Sequence, residues 1–180
     1  GVILAAADEA LARAIKTQFA RREIRKVYNA LVFGAPAVAA QVWRDRLAVE
    51  KRDGVIRTGT AGLVPAESQC QVLQSHPGPP PLALLQLTPK TGRSHQLRVQ
   101  CARGHLPIVG DQLYHRATQL PATFAPEVRA RVQALGRQML HAKILVFRHP
   151  RDARELAFEA ALPEDFRSVI QALAPYSAAL

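Results

Sequence analysis

LTPKTGRSHQLRVQCARGHLPIVGDQLY, residues Leu87–Tyr114, is the stretch around which the rest of the chain can be ordered. An apolar run, Leu82 to Leu85 with Leu87, leads into it and stops at Pro89, a residue that a central strand excludes. A buried strand is therefore expected to end there and turn at Thr91-Gly92. Ser94 stands where an N-cap would, Leu97 and Cys101 fall four apart on one side of the helix that comes next, and Gly104 is placed to close it. On a neighbouring face the helix carries His95 and Arg98, while Lys90 and Arg93 lie in the turn before its positive end. That arrangement suits an anion, although Thr-Gly-Arg-Ser is no P-loop and, by spacing alone, a solvated basic turn explains it as well.

Composition sets the wider frame. A chain of 180 residues with 48% hydrophobic content can form one compact domain, 1–180, with its own core. Its formal net charge of +10 predicts attraction to polyanions, nucleic acid first among them. The basic residues are spread from Arg21-Arg22 and Arg25-Lys26 through Lys51-Arg52 to Lys143, which describes a folded basic surface rather than a tail. No run of eighteen apolar residues occurs, and the apolar start Gly1–Ala7 lacks a basic flank, so neither a membrane span nor a signal peptide is expected. Two cysteines, Cys70 and Cys101, make no disulfide framework and imply a reducing compartment, the cytoplasm or, as the alternative, an organellar matrix. Cys101, His105 and His115 match no common zinc spacing, and no metal is expected.

Around the central stretch the periodicity predicts a strand at Gly1–Ala7, then a helix capped by Asp8 and carrying Leu11, Ile15 and Phe19. A strand over Lys26–Phe33 puts Tyr28 on the face opposite Val27. Further strands are expected at Gln41–Val49, Gln69–Gln74, Ala142–Phe147 and Glu155–Phe158, with Lys51–Gly62 a hairpin or loop built on Asp53-Gly54 and Gly59. Helices are expected to start at Pro126 and at Pro163. Together these predict an α+β fold, a mixed and mainly antiparallel sheet with flanking helices.

Taken whole, Leu87–Tyr114 resembles the signature of the RluA-type RNA pseudouridine synthases, which runs L-x-P-x-T-G-R-T/S-H-Q-I/L-R-V-H and then G-H-P-I-x-G-D-x-x-Y. The likeness extends to Arg25–Val32, similar to K-x-Y-L-A-L-V, and to Leu140–Ala142 and Phe147–Pro150, similar to L-H-A and F-x-H-P. Most of the chain is covered. The resemblance implies the family's catalytic domain lacking its N-terminal part, and an enzyme that isomerises uridine in structured RNA (rRNA or tRNA, and with them the ribosome) without a cofactor. Such an enzyme detaches uracil from ribose with an aspartate nucleophile, turns the base and rejoins it through C5, after the nucleotide has been flipped out of its stack.

On this resemblance Tyr28 is the active-site tyrosine, its ring stacking on the uracil and its hydroxyl placed to move the C5 proton. Arg98 corresponds to the arginine that pairs with the catalytic carboxylate. Lys90, Arg93, His95 and Gln96 are implied to order the turn and to contact RNA phosphates, whereas Asp111, Tyr114 and His141 fall at structural positions. The nucleophile's motif, H-R-L-D-x-x-T-S-G, is not among the 180 residues, and Gly1-Val2-Ile3-Leu4 resembles the family's sequence from the last glycine of that motif onward. The nucleophilic aspartate is therefore expected upstream of residue 1. The alternative is a relative that binds RNA, or the ribosome, without isomerising it. Gln100 stands where the family has a histidine.

Overall fold

The computed structural model describes residues 1–52, 55–78, 80–115 and 120–176, and of 49–63 the backbone alone. Strands β1 (Arg25–Phe33), β2 (Ala40–Arg52), β3 (Val55–His76), β4 (Leu82–Pro89), β5 (Leu140–Arg148) and β6 (Glu155–Glu159) form one sheet in the order β2-β3-β4-β1-β5-β6. Every neighbouring pair is antiparallel. The mainly antiparallel α+β architecture read from the sequence is thus present. Helices α1 (Glu9–Ala20), α2 (Gln96–Arg103), α3 (Pro126–Gln133) and α4 (Glu164–Leu173) flank the sheet.

Strand β1 lies between β4 and β5 and is buried from Asn29 to Phe33, as the apolar run Ala30–Phe33 requires of an inner strand. Leu31, Leu85 and Leu87 are wholly buried in the main core with Leu97, Phe124 and Phe166, so truncating one of them to alanine would cost about 2–5 kcal/mol. A second cluster joins Ile24, Leu145 and Phe147 to Ile15 of α1. Asp8 caps α1 as expected, its carboxylate accepting from the Leu11 amide at 2.8 Å.

Three local expectations are corrected. Gly1–Ala7 is not a strand. Its one backbone hydrogen bond to the sheet among the described residues is the Val2 amide donating to the Ala142 carbonyl at 2.9 Å, and although Val2 and Leu4 are half-buried against Leu145 and Phe147, Ile3 is 91% exposed. The alternation is real but one hydrogen bond makes no ladder. Gly59 is no turn residue; it sits in β3 opposite Ala48, beside a register shift. The hairpin is closed by Arg52 pairing with Val55, and its turn, Asp53-Gly54, lies outside the described residues. Ser94 does not cap α2, since the residue before the helix is His95, in the left-handed region at φ 53°.

Candidate active site

Strand alternation puts Lys26 and Tyr28 on one face of β1, and the chain leaving β4 at Pro89 turns back across that face into α2. Between them opens a cleft of about 420 Å³ whose walls include Phe19, Lys26, Tyr28, Arg93, His95 and Arg98. Tyr28 is half-buried, its hydroxyl has no hydrogen-bond partner among the described residues, and burial raises its pKa above the usual 10.0. The phenol is thus protonated at neutral pH, a proton donor at rest.

Arg98, on the first turn of α2, meets Asp111 in a fork. Nε donates to Oδ2 at 2.8 Å and Nη2 to Oδ1 at 2.6 Å, with the side chains 14% and 1% exposed. Gly110, at φ 76°, makes the turn that delivers Asp111, whose Oδ1 also accepts from the Leu113 and Tyr114 amides at 3.1 and 3.2 Å. Burial alone would raise the Asp111 pKa; the Arg98 hydrogen bond and charge and the two amides outweigh it and hold the carboxyl below its usual range. The same bond raises the Arg98 pKa.

Arg98 thus has an acidic partner within the chain, Asp111, which the resemblance did not name. Asp111 cannot itself be the nucleophile, because it is 1% exposed and both of its oxygens are engaged. Arg98 has donors to spare. Of a guanidinium's five N–H groups, two go to Asp111 and a third faces His95 Nε2 at 3.4 Å. The imidazole that accepts there carries its proton on Nδ1, 3.0 Å from the Tyr114 hydroxyl. Tyr114 completes the ring of contacts, its aromatic face 5.0 Å from the guanidinium. Burial first, then the charge of Arg98, lower the His95 pKa against the pull of Asp111, so the ring is neutral at pH 7.

The four residues expected to contact RNA part company. Arg93 and His95 line the cleft, but Lys90 is exposed outside it, in an adjoining notch. Gln96 lines the cleft as well, and it does the turn-ordering that the resemblance implied. At 3% exposure its amide donates to the Glu67 carbonyl and Ser68 hydroxyl and accepts from the Thr91 hydroxyl and Arg93 amide, so it orders the turn and keeps no valence for a phosphate. The network runs on through Ser68 to Gln100, which in turn donates to Asp45 at 2.8 Å. A glutamine at position 100 can bridge an acceptor and a donor at once, which explains its place there.

His141 is a satisfied core residue, 3% exposed and bonded through Nε2 to the Ala160 carbonyl at 3.0 Å. Both cysteines are free and buried, and burial pushes the Cys70 thiol up to about 11 and Cys101 higher still. Among the described residues no group of three His, Cys, Asp or Glu side chains could hold a metal, and no helix is long and apolar enough to cross a membrane. Lys26 was not singled out from the sequence, yet it lines the cleft. Its position two before Tyr28 on one strand was the signal.

A family model described as RNA pseudouridylate synthase matches residues 1–103. The chain is 35% identical over 175 residues to the dual-specificity RNA pseudouridine synthase RluA of Escherichia coli, covering 92% of this chain and 69% of that protein. It is 30% identical over 179 residues to an uncharacterized RNA pseudouridine synthase of Chlorobaculum parvum, covering 95% of this chain but 54% of the relative, so the chain spans about half of that length. Human RNA pseudouridylate synthase domain containing 4 superposes with a TM-score of 0.69 at 25% identity, over 92% of this chain and 68% of that one. The chain belongs to the RluA-type family of RNA pseudouridine synthases.

Proposed function

We propose that the protein carrying this chain isomerises uridine to pseudouridine in structured RNA, rRNA or tRNA, in the cleft between Tyr28 and Arg98. One observation carries the reading: a half-buried tyrosine on β1 and a carboxylate-clasped arginine on α2 line the same cleft of about 420 Å³, a size that suits a flipped base. The Tyr28 ring stacks on the uracil, and its hydroxyl takes up the C5 proton as it hands its own proton on to solvent. Arg98, fixed by Asp111, turns its remaining N–H groups toward the attacking carboxylate and keeps it ionised.

We assign that carboxylate to an aspartate upstream of residue 1. A segment entering at Gly1 arrives beside Ala142, which receives the Val2 amide and is the β5 partner of Tyr28. Detaching uracil exchanges the ribose C1′–N1 bond for a bond from C1′ to the carboxylate; rejoining exchanges that bond for one to C5, the C5 proton leaves to solvent and N1 takes one up. The full-length protein should therefore release tritium from structured RNA labelled at uridine C5. A protein that binds such RNA yet releases none from unmodified rRNA or tRNA would overturn the assignment.

A further inference from the structure

Next to the cleft, and sharing Phe19, Lys26 and the Thr91–Arg93 turn with it, lies a notch of about 270 Å³. Two distant stretches bring four cations to it, Arg22 and Lys26 from the entry to β1, Lys90 and Arg93 from the turn after β4, and no acidic side chain lines it. None of the four has a carboxylate partner among the described residues.

The cations are placed by folded backbone. Arg22 is held at φ 61°, its amide bonded to the Phe19 carbonyl at 3.1 Å and the next amide to Gln18 at 3.0 Å. Gln18 is buried and pinned at both ends of its own amide to the Arg148 backbone. Lys26 is half-buried, yet its ammonium has one long hydrogen bond, 3.5 Å to the Thr91 carbonyl, and a seat 5.7 Å above the Phe19 ring. An ammonium with three donors and one weak acceptor is short of partners. Burial already lowers its pKa, the sign of a charge whose desolvation is uncompensated. Between Lys26 and Lys90, Gly92 is exposed and its amide donates to no described partner; a Cβ there would meet only the Lys26 Nζ, at 3.5 Å.

A pocket lined by four cations and, among the described residues, no acid, sharing a wall with the base cleft, suits a nucleotide, whose phosphate stands one ribose away from its base. We propose that the notch seats a phosphodiester flanking the nucleotide in the cleft, with Arg22 and Lys26 as donors from one stretch and Lys90 and Arg93 from the other. The proposal rests on the RNA-modifying reading of the cleft, and it gives Lys90 the phosphate that its exclusion from the cleft would otherwise deny it.

The test uses the full-length protein and a short RNA stem-loop with uridines in its loop, titrated by fluorescence anisotropy at several potassium chloride concentrations. The double variant Arg22→Gln/Lys26→Gln should bind about tenfold more weakly at low salt and show a log–log salt slope smaller by about one. Arg22→Lys should keep the wild-type slope, as should Arg154→Gln in the β5–β6 turn, and thermal unfolding checks that each variant folds. Inorganic phosphate added during thermal unfolding separates the two sources of the anion. If inorganic phosphate raises the melting temperature of the wild type and not of the double variant while both keep the same RNA slope, the notch binds free phosphate and not RNA, and the proposal falls. A double variant equal to wild type in affinity and slope also overturns it, and tritium release by the wild-type protein then keeps the reading of the cleft. A salt slope that depends on Arg22 and Lys26 in a protein that releases no tritium upholds the notch and removes the reaction.

Discussion

Arg98 and Asp111, separated by 13 positions in the chain, are clasped by two nearly parallel hydrogen bonds of 2.8 and 2.6 Å at the back of the cleft. The pair is shielded from water, and breaking a shielded pair leaves one charge uncompensated. Asp111→Asn should therefore lower stability by about 3 kcal/mol in urea titration. It should also depress tritium release by more than it weakens RNA binding, because it frees Arg98 without removing it. Equal losses in both would mean that the pair serves the fold alone.

The same carboxyl contributes to the acid limb of stability. Its folded pKa is depressed, so in acid the unfolded chain takes up the proton first. The contribution is complete above roughly pH 4–5 and is lost as pH falls through the folded pKa. The stability gap between wild type and Asp111→Asn should narrow from about pH 5 to pH 3. A gap that stays constant over that interval would contradict the assignment.

Tyr28→Phe removes a hydroxyl that has no partner among the described residues and keeps the ring. Unfolding should be nearly unchanged and RNA affinity kept, with turnover down by about 10²-fold or more. Because burial holds the phenol protonated beyond its ordinary 10.0, no limb of the wild-type pH–rate profile below that value should belong to Tyr28. Unimpaired turnover in Tyr28→Phe would confine the residue to stacking.

His95 combines a left-handed backbone with a depressed pKa. Asparagine tolerates that conformation and valine does not, so His95→Val should be less stable than His95→Asn by about 1–3 kcal/mol. The neutral imidazole supports the fold above its unfolded pKa near 6.5 and loses that support as pH falls through the lower folded value. His95→Asn should flatten the stability profile over that interval, measured by urea titration at a series of pH values.

Gln96→Leu is close in size but leaves the Thr91 and Ser68 hydroxyls, the Glu67 carbonyl and the Arg93 amide without the partner they share. The expected loss is about 3 kcal/mol or more. Amide hydrogen exchange at Arg93 should quicken beyond what the global loss explains; protection that falls evenly across the chain would deny Gln96 its special hold on the turn.

Much of this was legible in the residues. Apolar runs gave β1 and β4 nearly to the residue, and Asp8, Pro126 and Pro163 marked helix starts because each acts within one turn of its own position. The family motif placed Tyr28 and Arg98, which the structure brings to one cleft. What stayed hidden was pairing at a distance. Nothing local at Arg98 names Asp111, nothing at Gln96 announces four partners, and Arg22 and Lys26 read as ordinary surface until β4 delivers Lys90 and Arg93 beside them. The Gly1–Ala7 reading failed for a related cause: its alternation fits a strand, but whether a strand forms depends on a free edge to pair with, and β5 offers only Ala142.

The register between β1 and β5 slips between Val27, opposite Ile144, and Tyr28, opposite Ala142, leaving Lys143 as an extra residue in β5. Upstream side chains of that strand thereby exchange sides: Leu140 lines the cleft, while His141 packs on Phe166 with ring centroids 6.5 Å apart. Excising Lys143 would reverse that exchange, swinging a titratable imidazole in beside Tyr28 and sending Leu140 to the helix side. A single supernumerary residue thus keeps a second imidazole out of the chamber beside Tyr28.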